Sequence, residues 1–183
     1  RLVSEGKAPP PPSIAAWNAG PIVSALPRMF VSAISEFCAI PNPTQAMGIQ
    51  SVHSGKFLNI SGGGKADGTN VQTWGDTPGG HNAWCLVPHG DNTYGIQSVH
   101  SGKFLNISSG GKANGTNVQT WGDQPSGQNE WALIASGEGT FGIMSVHSGK
   151  FLNIAGGGTA DGTNVQTWGD TPGGYNDWRL VRV

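Results

Sequence analysis

Ten residues, SVHSGKFLNI, begin at Ser51 and are spelled again without change from Ser98 and from Ser145. A second block, GTNVQTWGD, starts at Gly68, Gly115 and Gly162. Both recur at a spacing of 47 residues, and each unit closes on Asn-x-Trp, at Asn82, Asn129 and Asn176. A fixed period of this size marks one supersecondary unit copied along the chain, and it constrains the fold before any other feature does. Three copies occupy 47–93, 94–140 and 141–183, and residues 1–46 stand outside the pattern.

Each copy reads as four short strands. In the first, Gly48 to Val52 leads to the turn HSGK. Phe57 to Ile60 then alternates, with Leu58 and Ile60 on one face and Phe57 and Asn59 on the other. SGGGKADG is a loop, because glycine reaches positive φ without steric cost. Asn70 to Trp74 is the third strand, GDTPGG a turn cluster, and Trp84 to Val87 the fourth strand. No helical period of 3.6 persists in this region. Four strands in three copies predict an all-β domain of twelve.

One such unit cannot bury its own apolar face, but three can share a core. An open array would need atypical end repeats. Here the first and third copies are nearly alike, so a closed threefold arrangement is expected, which also removes strand edges. Composition narrows the function. Charged residues make up 11% of the chain and the net charge is −1, so there is no basic stripe for nucleic acid. No run of about 18 apolar residues reads as a spanning helix. The chain starts at Arg1 rather than Met, so it is a processed form, a fragment or part of something longer; a processed N-terminus would suggest a secreted or organelle-lumen location, and the compartment stays open.

The sequence YGIQSVHSGKFLNI…GTNVQTWGD…QNEW resembles the ricin-type lectin domain, a β-trefoil of three such repeats, over residues 47–183. The resemblance implies a non-enzymatic carbohydrate-binding module without cofactor or metal. It implies that Trp84, Trp131 and Trp178, in the place of the family's Gln-x-Trp, pack in a shared core. It also implies up to one shallow sugar pocket per repeat. In the first copy the pocket residues fall on Asn59, Gln72, Trp74, His81 and Asn82. In the second they fall on Asn106, Gln119, Trp121, Gln128 and Asn129. In the third they are Asn153, Gln166, Trp168, Tyr175 and Asn176. Indoles cover the apolar C–H face of a sugar, and amides pair with its hydroxyls. Sugar-binding members typically carry Asp at the second-strand position, where this chain has Asn three times. An amide replaces a charged double acceptor there, so affinity or sugar choice should differ. Family cysteines are replaced near Phe57 and Asp76.

Other recurring residues have simpler readings. His53, His100 and His147 read as turn residues rather than metal ligands. Asp67 and Asp161, with Asn114 between them, read as loop positions, and Lys56, Lys103 and Lys150 as solvated. A glycosidase needs two carboxylates at a set separation, and no acidic pair recurs in all copies. Cys38 and Cys85 lie outside the repeat pattern, and their number leaves a bridge and two thiols equally open.

Residues 1–46 form an N-terminal arm. APPPPS is a semi-rigid polyproline stretch. SALPRMFVSAISEF reads as a short helix capped by Ser24, with Pro27 near its first turn. Met29, Phe30, Ile34 and Phe37 share one broad apolar face, which either packs on the trefoil itself or, as expected here, carries a partner contact with a larger protein complex or a membrane surface. The alternative function is therefore a structural subunit docked through this arm, with lapsed sugar pockets.

Overall fold

The computed structural model describes residues 45–76, 80–90, 92–124, 127–171 and 174–183. The arm residues Met29, Phe30, Ile34 and Phe37, together with Cys38, lie outside the described residues.

Among the described residues the chain folds into twelve strands and three short 3₁₀ turns. The first repeat supplies β1 (Met47–Ser51), β2 (Phe57–Ile60), β3 (Thr69–Trp74) and β4 (Ala83–Gly90). The second supplies β5 (Thr93–Ser98), β6 (Phe104–Ile107), β7 (Thr116–Trp121) and β8 (Trp131–Gly137). The third supplies β9 (Thr140–Ser145), β10 (Phe151–Ile154), β11 (Thr163–Trp168) and β12 (Asp177–Arg182).

Strand pairing closes the molecule. β1 pairs with β4, β4 with β5, β5 with β8, β8 with β9, β9 with β12, and β12 returns to β1. That ring is a six-stranded barrel. The hairpins β2–β3, β6–β7 and β10–β11 close one end, because β3, β7 and β11 pair with one another in a triangle. This is a β-trefoil, with the expected four strands per repeat.

Strand limits differ from the sequence reading at several ends, and two of the differences have a clear local reason. β1 stops at Ser51 because its carbonyl accepts from Gly55 N at 2.9 Å and its Oγ accepts from Ser54 N at 3.1 Å, which opens the turn. β4 runs past Pro88 to Gly90 because the hairpin with β5 absorbs the missing proline N–H through a register shift between those two residues.

The core is built in threefold sets. Ile49, Ile96 and Ile143, Leu58, Leu105 and Leu152, Ile60, Ile107 and Ile154, and Val71, Val118 and Val165 are all buried together. Trp84, Trp131 and Trp178 are fully buried among them, as expected. Each indole Nε1 donates to the carbonyl of the core leucine of its own repeat: Leu58 at 2.9 Å, Leu105 at 3.0 Å and Leu152 at 3.1 Å. A buried N–H is thereby satisfied inside an apolar core.

On the trefoil axis three asparagines close a ring of amides. Asn70 Nδ2 donates to Asn164 Oδ1, Asn164 Nδ2 to Asn117 Oδ1, and Asn117 Nδ2 to Asn70 Oδ1, each at 2.9 Å. Every amide is donor and acceptor once, a closed ring that the threefold arrangement of identical residues permits.

The 3₁₀ turns after β2, β6 and β10 show one departure from symmetry. Their second residue is left-handed in all three, with Gly62 and Gly156 at φ 59° and Ser109 at φ 52°. A side chain in that region costs roughly 1–2 kcal/mol, part of which glycine gives back as lost chain entropy. Ser109→Gly should therefore raise stability by about 0.5–1 kcal/mol, read as a higher urea midpoint at unchanged m-value; a lower midpoint would contradict the strain.

Candidate functional site

Each pocket position is set by a hairpin of the cap. In β2–β3 the register pairs Phe57 with Trp74 and Asn59 with Gln72. The same pairing brings Asn106 to Gln119 and Asn153 to Gln166. At the hairpin ends, Trp74 and Trp168 are each 38% exposed, while Trp121 is half-buried. Strand termini that project past the barrel leave these indoles at the surface, outside the core cluster.

The second-strand asparagines are placed differently from the aromatic residues. Asn59, Asn106 and Asn153 are buried, and so are Asn82, Asn129 and Asn176. In the second repeat they form a directed relay. Gln119 Nε2 donates to Asn106 Oδ1 at 3.1 Å, Asn106 Nδ2 to Asn129 Oδ1 at 2.6 Å, and Asn129 Nδ2 to Gly122 O at 3.0 Å. The third repeat repeats it through Gln166, Asn153, Asn176 and Gly169 O. In the first, Gln72 Nε2 donates to Asn59 Oδ1 at 3.3 Å, and Asn82 Nδ2 donates to Asp76 Oδ1 at 2.7 Å. The relay explains why asparagine stands at the second-strand position. An ionised Asp could not donate to the amide oxygen that Asn129 or Asn176 turns towards it.

The third repeat shows the assembled pocket. Asn153, Gly156, Gln166, Trp168, Thr171 and Tyr175 line a depression of about 430 Å³. Four of the five residues expected for that copy are therefore brought together. Asn176 stands behind them, holding Asn153.

A histidine from a neighbouring repeat braces the loop beside each pocket position, and single-repeat reasoning missed this. His100 of the second repeat reaches the first, where Nε2 donates to Gly63 O at 2.8 Å and the ring packs edge-on against His81, centroids 4.4 Å apart. His53 reaches the third repeat in the same way, donating to Gly157 O at 2.9 Å beside Tyr175, with ring centroids 4.7 Å apart. His147 donates to Gly110 O of the second at 2.9 Å. The histidines are turn residues, as expected, but each one also bonds the loop of another repeat. They do not converge, and among the described residues no group of three potential metal ligands stands together.

The far edge of each indole meets the repeat on the other side. A Cβ on Gly162 would lie 3.6 Å from Cζ3 of Trp74, and one on Gly68 or Gly115 would lie 3.7 Å from Trp121 or Trp168. The loop that carries these glycines also crosses between repeats. Asp161 Oδ1 accepts from Gly75 N, and Asp67 Oδ1 from Gly122 N, both at 2.9 Å. Lys56 pairs with Asp161 at 2.5 Å and Lys103 with Asp67 at 2.6 Å. These two lysines are thus not merely solvated, and the aspartates are not merely turn residues. The lysine ammonium holds each carboxyl below its ordinary value, assisted by the glycine N–H. In the third position Asn114 keeps the backbone bond, to Gly169 N at 3.0 Å, but offers Lys150 no charge. Cys85 is half-buried on β4, and burial pushes its thiol pKa up.

The model of the ricin-type β-trefoil lectin domain-like family matches residues 36–121 and 122–168. The chain belongs to this family. Among solved structures, this ricin-type chain is similar to the designed threefold symmetric protein ThreeFoil, at 31% identity and a TM-score of 0.74 over 75% of this chain and 99% of that one. It is also similar to 1,3Gal43A, an exo-β-1,3-galactanase from Clostridium thermocellum, at 28% identity and a TM-score of 0.74 over 79% of this chain. It spans 31% of the galactanase's length. The Macrolepiota procera ricin B-like lectin, solved in complex with lactose, shares the fold at 23% identity, with a TM-score of 0.68 over 78% of this chain and 99% of that one. No curated protein matches the sequence.

Proposed function

We propose that this ricin-type trefoil is a non-enzymatic carbohydrate-binding module that stacks one sugar ring on each of Trp74, Trp121 and Trp168. The observation that carries the reading is the third pocket, where a part-exposed indole and phenol flank the amide of Gln166 in a depression of about 430 Å³. That is the size and chemistry of a site for one sugar, with an apolar wall and a few convergent polar groups. Because Asn59, Asn106 and Asn153 are buried in their relays, they support the pocket wall and hold the glutamines; the indoles and glutamines make the contact.

Shallow sites of this kind bind at about millimolar to sub-millimolar Kd, and tighter recognition comes from several repeats engaging one multivalent glycan. Lactose is the first probe, since a protein of this fold holds it. Titration of wild type should show saturable binding, and the triple variant Trp74→Ala, Trp121→Ala, Trp168→Ala should lose at least tenfold in affinity while keeping its far-ultraviolet spectrum. Equal binding by the two proteins would remove the indoles from the site.

One observation favours the other reading, a structural subunit with lapsed pockets. The acceptor that a second-strand carboxylate would give to vicinal hydroxyls is absent, and its amide replacement is consumed internally. Absence of binding across a panel of neutral and acidic oligosaccharides would transfer the case to that reading.

A further inference from the structure

The trefoil has a second set of three equivalent clefts, away from the indole pockets, where each barrel hairpin passes the second strand of the next repeat. A glycine makes each cleft possible. A Cβ on Gly95, Gly142 or Gly48 would overlap the ring of Phe104, Phe151 or Phe57, at 2.7–2.8 Å from its edge. The residue next to that ring is where the copies part. His89 fills the cleft at Phe104, its imidazole 2.7 Å from the same Cβ position on Gly95 and 6.0 Å from the phenyl centroid. Val183 approaches the cleft at Phe57, with Cγ1 3.4 Å from the Cβ position on Gly48. The corresponding residue of the middle hairpin is Ser136, which is too short to reach. Its hydroxyl donates instead to Thr140 Oγ1 across the turn at 3.2 Å. The cleft at Phe151 is consequently open, a cavity of about 270 Å³ lined among others by Ile134, Gly142, Phe151, Asp170 and Asp177.

We propose that this open cleft is a separate binding site that takes a histidine side chain presented by another polypeptide. The argument is that the fold already shows the occupant. His89 is an imidazole on an extended strand, seated against the phenyl ring of the same cleft one repeat earlier. Its Nδ1 is buried without a hydrogen-bond partner, so packing rather than a bond at that atom holds the ring in place. Asp170 and Asp177 line the open cleft, and among the described residues no basic side chain does, so an incoming imidazolium meets complementary charge. Position 136 is the selector: serine opens the cleft, and a histidine there would close it.

The test uses N-acetyl-histidine-methylamide, with N-acetyl-alanine-methylamide and free imidazole as the other arms, followed by two-dimensional amide NMR. The capped histidine should shift the signals of Gly142 and Phe151 and saturate in the millimolar range. Ser136→His should weaken this more than tenfold. His89→Ser should add a second set of shifts, at Gly95 and Phe104, and raise the number of sites from one to two. Trp168→Ala should change none of this, which separates the cleft from the sugar pocket. No shift with the capped histidine, an equal shift with the alanine compound, or shifts that persist in Ser136→His would each overturn the proposal. Binding of free imidazole without the capped residue would overturn the polypeptide assignment.

Discussion

Trp84→Ala should destabilise the trefoil by about 3–5 kcal/mol, the range for removing a large aromatic from a core that cannot collapse onto the space. Trp84 is fully buried in the apolar cluster shared by all three repeats, so the barrel strands on both sides would have to move to fill the cavity. Its indole also satisfies Leu58 O at 2.9 Å. Trp84→Phe separates the two effects. It keeps most of the volume and leaves a smaller gap while removing the donor, and should cost about 1–3 kcal/mol. Urea unfolding of the three proteins measures both. A loss below about 1 kcal/mol for the alanine variant would mean that the core is not held at this point. Since Trp84, Trp131 and Trp178 pack into one cluster, pairs of such variants should not add.

The fold was legible because the repeat announces itself three times. The period of 47 residues, the alternation in FLNI and the Asn-x-Trp ends predict twelve strands around a common core, and the structure has them. The pocket was legible in part. The aromatic positions at strand ends read equally as exposed platforms or as packing against loops, and the structure leaves Trp74 and Trp168 part-exposed and Trp121 half-buried. The second-strand asparagines, expected to contact sugar, are buried, although Asn153 still lines the third depression. Their burial comes with the amide relays, whose pairings depend on how the loop of the same repeat folds back and are not spelled out by residue spacing. The same limit hid every contact that crosses repeats. Asn70, Asn117 and Asn164 recur at the period, but their ring exists only after the chain closes. The crossing of His53, His100 and His147, and the pairing of Lys56 and Lys103 with the loop aspartates, have the same origin. A recurring polar residue with no partner inside its own repeat is the signal that could have found them. The open cleft was hidden for the opposite reason. Its cause is a difference between copies, His89 against Ser136, in hairpins that otherwise look like ordinary loop variation.

Asn106→Asp should be costly at neutral pH, although it restores the residue type typical of sugar-binding relatives. Asn106 Nδ2 donates to Asn129 Oδ1 at 2.6 Å, and Asn129 is prevented from turning over by its own bond to Gly122 O at 3.0 Å. A carboxylate at this position would face that amide oxygen with no proton to offer, in a site closed to water. Leaving the two acceptors opposed should cost about 1–3 kcal/mol, and more if the charge is fully retained. Burial and the facing oxygen both disfavour the charged form, so the introduced carboxyl should have a folded pKa above its unfolded value of about 3.9. The sign of the pH effect follows. Above the raised pKa the group must either stay charged at a cost or take up a proton on folding, so the variant is least stable there. As pH falls through the raised pKa the neutral acid forms, its O–H donates to Asn129 Oδ1, and the deficit relative to wild type shrinks. Urea midpoints of both proteins at pH 7 and pH 4 check this: the difference between them should narrow on acidification. A difference that is absent at pH 7, or that widens at pH 4, would mean that the second-strand amide is not a donor in the relay. Its replacement by Asp in relatives would then be a matter of sugar contact alone.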